Sequence, residues 1–167
     1  MRTFAVFTTL LFILAVVKPT LADDSISDGI KAKALPLLKA LSMIGTPYKL
    51  GGQNPIKGVD CSGFVKHVYK DTANIELPRT ARAMSHEGEK VAKNELKPGD
   101  LVFFGTRKKS VSHVGIYAGN GEFVHASSRK YKEVMVSSLD DGYWAKRFHG
   151  ARRVLSEQES GPPADPQ

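Results

Sequence analysis

Two runs rich in β-branched and aromatic residues, Val111 to Ala118 and Glu122 to Ser127, flank Gly119-Asn120-Gly121. This segment constrains the fold more than any other. Side chains alternate faces along a strand, so a one-residue slip in pairing sends every side chain to the opposite face. Two turns compete: a two-residue Asn120-Gly121 turn, and a three-residue loop with Gly121 in the left-handed conformation. In the three-residue loop Ala118 faces Glu122, Ile116 faces Val124 and Val114 faces Ala126. These five apolar residues other than Glu122 then share one face. His113, Gly115, Tyr117, Phe123 and His125 share the other, with Gly115 opposite His125 and leaving open space beside both imidazoles. The two-residue turn shifts the register by one and separates the histidines. The three-residue loop is expected, because it sorts the hairpin into an apolar face and a polar one.

The single cysteine, Cys61, stands in Gly58-Val59-Asp60-Cys61-Ser62-Gly63-Phe64-Val65, where a loop becomes a helix. Residues 1–22 read as a cleavable secretory leader. Arg2 gives a positive start, Phe4 to Val17 is a short apolar run, and Thr20-Leu21-Ala22 ends in a small residue; a short membrane anchor is the alternative. An exported chain with one thiol forms no internal disulfide, so the thiol is either inert in the core or kept for chemistry. A helix N-terminus favours the second, since its unpaired N–H groups draw a thiol toward thiolate. At 167 residues the chain has room for one domain with a real core. Removing Arg2 and Lys18 with the leader leaves 22 basic against 17 acidic residues. That excess suits an anionic polymer such as a cell wall, while export argues against nucleic acid.

Elsewhere, residues 23–34 read as a polar lead-in. Leu37, Leu38, Leu41 and Ile44 have helical spacing in a helix over 35–44, with Pro36 in its first turn and Gly45 just past its end. Thr46 to Asp60 is a loop containing Gly51-Gly52. A second helix runs from Cys61 to Asp71 with Phe64, Val65 and Val68 on one face. Thr80 caps a short helix from Ala81 to Glu87. Lys97-Pro98-Gly99-Asp100 turns into a strand over Leu101 to Phe104. The tail after Ser156 has the composition of a disordered segment.

Cysteine, then histidine, then a polar residue that orients the histidine is the order of a cysteine peptidase. On that reading Cys61 is the nucleophile, His113 the base and His125 the residue that holds the tautomer of His113. The bland alternative makes Cys61 a small buried hydrophobe. A zinc site of Cys61, His113 and His125 is a third, but no close-spaced ligand pair supports it, and no metal or other cofactor is expected. His67, His86 and His149 read as solvated, being in polar stretches. Arg107-Lys108-Lys109 reads as a solvated loop, and Tyr143 and Trp144 as core or rim aromatics.

Several motifs together resemble the NlpC-type cell-wall cysteine peptidases: Gly45-Thr46-Pro47-Tyr48-Lys49-Leu50-Gly51-Gly52, Asp60-Cys61-Ser62-Gly63-Phe64-Val65, Leu77-Pro78-Arg79, Pro98-Gly99-Asp100-Leu101-Val102-Phe103-Phe104 and His113-Val114-Gly115-Ile116-Tyr117. The likeness covers a domain over 35–155. Phe123-Val124-His125-Ala126-Ser127 and the stretch Tyr143 to Leu155 are similar to the Spr-type (MepS-like) murein endopeptidases. The resemblance implies an α+β, papain-like fold with the nucleophile at a helix start packed on a small antiparallel sheet. It implies hydrolysis of stem-peptide or crosslink amides in peptidoglycan, and places Tyr48, Asp60 and Ser62 beside the substrate. The D-alanyl–diaminopimelate bond is favoured; other branches cut the D-glutamyl–diaminopimelate bond. A wall-binding or toxin-like module of the same fold is the alternative. Leu50 departs from the family, where tryptophan is frequent. With no lipid-bearing cysteine after the leader, the expected location is the periplasm or the medium, without membrane insertion once the leader is removed.

Overall fold

The structure, a computed structural model, describes residues 34–107, 110–129 and 131–155. The expected leader, all but the last residue of the lead-in, Lys108-Lys109 and the tail from Ser156 lie outside the described residues. Helix α1 covers residues 34–42. Helix α2 (Cys61–Ala73) follows a two-stranded ribbon of β1 (Gln53–Asn54) and β2 (Gly58–Val59), and α3 (Ala81–Met84) comes next. The main sheet contains β3 (Glu89–Val91), β4 (Leu101–Arg107), β5 (Ser110–Gly119), β6 (Glu122–Ala126), β7 (Val134–Ser138) and β8 (Phe148–Arg153), with α4 (Gly142–Ala145) before the last. Its order is β3-β8-β4-β5-β6-β7, antiparallel throughout.

The sheet is apolar on both faces. On one, Phe64, Val65, Val68 and Tyr69 of α2 pack against Leu101, Phe103, Val114, Ile116, Val124, Ala126 and Val134. On the other, Val102, Phe104, Phe123, Leu139, Val91 and Ala151 form a second cluster, with Trp144 and Phe148 packed on it. The histidine face of the hairpin is therefore an aromatic layer and not the polar face expected from alternation. Strands buried on both sides lose the polar alternation that would reveal them.

Two helix readings need correction. Leu37 packs partly buried on the first cluster as expected, but the buried side of α1 continues through Ala40 and the following Met43, while Leu38, Leu41 and Ile44 are exposed. Gly45 does follow the turn, at φ +87°, and its N–H bonds the Val134 carbonyl. Thr80 caps α3 by accepting from the Ala83 N–H, but the helix stops at Met84 and does not reach Glu87.

The hairpin corrects the turn while keeping its consequence. Gly119 pairs with Glu122 across a two-residue turn in which Asn120 and Gly121 both have positive φ, 53° and 76°. Those angles suit the mirror-image turn whose twist matches paired strands. The two-residue turn should have separated the histidines, yet Ile116 still pairs with Val124 and Tyr117 with Phe123. A bulge at Ala118 absorbs one residue and restores the expected register. The sequence reading omitted a bulge, which has no side-chain pattern of its own.

Gly115 is corrected as well. A Cβ there would lie 2.7 Å from the Phe123 ring, 2.9 Å from the Val124 carbonyl oxygen and 3.2 Å from Cβ of His125. The space is filled, and glycine is required by close approach rather than leaving a gap. Gly115→Val should accordingly lower stability as well as activity, by about 1–3 kcal/mol of overpacking. Urea unfolding followed by circular dichroism checks this; an unchanged midpoint would show that the neighbours yield freely.

Candidate active site

The site begins with Asp60, the N-cap of α2. Its Oδ1 accepts from the Gly63 N–H at 2.7 Å, and its Oδ2 accepts from the Gly51 N–H at 3.0 Å. Arg79 grips both oxygens, Nη1 to Oδ1 at 3.0 Å and Nη2 to Oδ2 at 2.6 Å. Ser62 Oγ donates to Asp60 Oδ1 and accepts from Arg79 Nη1 at 2.8 Å. Burial alone would raise the Asp60 carboxyl, but the Arg79 and Gly63 hydrogen bonds outweigh it and hold it below the usual carboxylate range. Asp60 and Ser62 are both buried, and these bonds lock the turn that presents Cys61. Arg79 belongs to the Leu77-Pro78-Arg79 motif, but it had no role in the site from sequence, since one arginine after Leu-Pro carries no mark of its distant partner.

Cys61 is the first residue of α2 and packs partly buried against the first cluster. Burial pushes its thiol above the ordinary value. The Val114 N–H opposes this, the Asp60 carboxylate adds to it, and the N–H groups of Ser62 and Cys61 pull the other way. The expected drop from the helix start is therefore overturned: desolvation costs the thiolate more than the helix end returns. The Val114 contact also brings the sulfur to the backbone beside His113. Tyr48 is half-buried near both; burial, then the charges of Cys61 and Asp60, raise its phenol, so it stays protonated. Its backbone bridges to Val59, next to Asp60.

His113 Nε2 and His125 Nδ1 are 2.9 Å apart, and His125 Nε2 lies 3.0 Å from Ser137 Oγ. Trp144 stacks on His113 with centroids 5.2 Å apart and meets His125 edge-on at 4.9 Å. Phe123 packs against the other imidazole, His125, at 4.9 Å. His125 is 1% exposed. Burial depresses His113 to about 4; burial and then its neighbour depress His125 to about 3. The pair is thus neutral at neutral pH, and one ring must donate to the other. If His113 donates from Nε2, His125 must carry its proton on Nε2 and donate to Ser137, which leaves His113 Nδ1 as a free base. Both nitrogens of His125 are then occupied, so it has no lone pair for zinc. His86 and His149 are exposed as expected, while His67 is partly covered and lies 3.4 Å from Asp71.

Ser137 was missed. Strand β7 places Val134 and Val136 toward the first cluster and Met135 and Ser137 toward the histidines, but its pairing with β6 spans an irregular connection that sequence pattern does not resolve.

A helix-borne thiol beside an antiparallel sheet that carries an imidazole pair defines a papain-like α+β fold. The chain belongs to the NlpC/P60 family, whose profile matches residues 45–153. It is 43% identical over 140 residues to murein DD-endopeptidase MepH of Escherichia coli strain K12, covering 82% of this chain and 51% of that protein. It is also similar to MepS of the same strain, named a murein DD-endopeptidase and LD-carboxypeptidase, at 46% over 113 residues, 67% of this chain and 57% of the other. The chain thus spans about half the length of these relatives. A solved NlpC/P60 family protein from Bacillus cereus superposes with a TM-score of 0.69 at 32% identity, covering 74% of this chain and 40% of that one.

The depressed imidazoles make stability depend on acid. Between the unfolded value near 6.5 and the folded values of about 4 and about 3, the unfolded chain binds more protons, so stability falls as pH falls. Each histidine contributes up to about 1.4 kcal/mol per pH unit in that window. Above pH 4.5 the two contribute almost equally, so His125→Asn should roughly halve the slope of the urea midpoint between pH 6.5 and 4.5. A slope unchanged in that variant would show that other groups set it.

Proposed function

We propose that the chain is an exported peptidoglycan endopeptidase acting by thiol catalysis on stem-peptide or crosslink amides, the D-alanyl–diaminopimelate bond being favoured. The observation that carries the reading is the His113–His125–Ser137 chain of hydrogen bonds beside a thiol at the start of α2. The family and the relatives' names support the substrate class. Among the described residues no helix is long and apolar enough to cross a membrane.

In the proposed mechanism the resting pair is a neutral thiol and a neutral imidazole. As Cys61 Sγ bonds to the carbonyl carbon, its proton passes to His113 Nδ1, and the imidazolium is stabilised through Nε2–H donated to His125. N–H groups at the start of α2 hold the oxyanion. Collapse breaks the C–N bond, the leaving amine takes the proton from His113, and a thioester remains. Water then gives its proton to His113, attacks the thioester and releases the carboxylate product, and Cys61 recovers the proton. Tyr48 forms part of the cleft wall. Asp60 and Ser62, whose oxygens serve the turn, meet substrate at its edge.

Purified protein digesting crosslinked muropeptides, read by mass spectrometry, tests this. Dimers should fall to monomers, and Cys61→Ala should abolish the change while leaving the fold intact. Dipeptide stems, with a released peptide beginning at diaminopimelate, would instead favour the D-glutamyl–diaminopimelate bond, and binding without any cleavage would favour a wall-binding module.

Ser137→Ala should lower kcat about tenfold with little change in KM, because it frees the tautomer of His125 without touching substrate. Ser137→Thr should retain most activity. Nitrogen chemical shifts of the two imidazoles should report mixed tautomers only in the alanine variant; unchanged shifts would assign Ser137 a packing role alone.

A further inference from the structure

Beside the imidazole pair, two guanidinium groups crowd over one aromatic ring. The guanidinium groups of Arg129, just after β6, and Arg147, just after α4, both lie over the ring of Tyr143, at 4.3 and 3.8 Å from its centroid. Like charges gathered over one ring repel, yet neither forms an ion pair with a carboxylate among the described residues. Arg147 Nη1 donates to the Tyr143 carbonyl at 3.0 Å, which uses one of its five N–H groups. Arg129 is exposed; its backbone N–H donates to Ser127 Oγ and its carbonyl accepts the Lys132 N–H, while its guanidinium has no hydrogen bond among the described residues. Asp141, the cap residue before α4, accepts the Tyr143 N–H and forms no ion pair with either arginine, although it lines one of the hollows described below.

These cations face a cavity of about 150 Å³ whose wall includes His113, Ser127, Arg129, Tyr143, Trp144 and Arg147. A second hollow of about 260 Å³ shares Arg129, Tyr143 and Trp144 and reaches His125 and Ser137. The catalytic imidazole and the two guanidiniums thus line the same space. Planar guanidinium forks match a carboxylate, and the aromatic floor fixes their plane at little entropic cost.

We propose that Arg129 and Arg147, seated on Tyr143, form a subsite for a carboxylate of the peptide substrate on the His113 side of the cleft. This rests on the endopeptidase reading and adds the anionic group that the enzyme uses to align its substrate. The subsite makes the enzyme prefer peptides whose side-chain or terminal carboxylate is free over the same peptides with that group amidated.

The test reads binding apart from turnover. Trp144 is the only tryptophan in the chain and lines both hollows, so its fluorescence reports occupancy. The Cys61→Ser protein is titrated with a wall stem peptide carrying free carboxylates and with its fully amidated form. The free acid should bind about fivefold more tightly, as expected for a partly exposed charge pair. Arg129→Gln in the same background should bring the two forms level, and Arg129→Lys should keep part of the difference. Arg147→Gln should act in the same direction. Equal binding of acid and amide by the parent protein, no binding of either, or a preference unchanged in both glutamine variants would overturn the subsite. Muropeptide cleavage by the wild-type protein is scored separately, so a failure of hydrolysis tells against the endopeptidase reading while the acid preference is judged on its own.

Discussion

The Asp60 carboxylate is the point on which the site depends. It caps α2, holds the Gly51 loop and is clamped by Arg79, so three segments distant in sequence meet on two oxygen atoms. A buried carboxylate is costly without partners, and removing one would leave the charge unpaired in a dry setting. The Cys61 turn is therefore held by charge-assisted bonds that cannot be loosened one at a time. This rigidity carries an electrostatic penalty. Burial raises the neighbouring thiol and the same carboxylate that orders the turn adds to it, so the helix start presents Cys61 with good geometry but does not ionise it.

Burial decides the protonation of the rest of the site. Trp144 and Phe123 enclose an imidazole pair whose charged forms are disfavoured, and the hydrogen bond between the rings ties the tautomer of one to that of the other. Thiol and imidazole begin neutral, and the proton moves only when the substrate carbonyl is attacked. Ser137 matters because its hydroxyl gives His125 Nε2 a partner, so that the direction in which His113 donates to His125, with His113 Nδ1 free, leaves no buried donor unpaired.

Much of this was legible in the residues. Cys61 at a helix start follows from Asp60 and the apolar positions Phe64, Val65 and Val68, a local pattern of cap and period. His113 and His125 on one face follow from period-two alternation, and that conclusion survived a wrong turn because the bulge at Ala118 compensated for it. The outer face of α1 was misread, since leucine at helical spacing does not say which side meets the sheet.

By itself the sequence determined α1, α2, the start of α3, β4 and the β5–β6 hairpin, the order of thiol and imidazoles along the chain and the family, because caps, alternation and motif spacing are local and survive without knowledge of neighbours; the short ribbon, β3, β7, α4 and β8 carried no such pattern. Tertiary structure alone decided that Arg79 neutralises Asp60, that Ser137 completes the imidazole chain, that Gly115 is pressed against Phe123, and that Arg129 and Arg147 share one tyrosine. Each of these joins residues on different elements. Their distances are set by how the sheet and helices pack, and pKa values follow the water that packing excludes, which no window of residues contains.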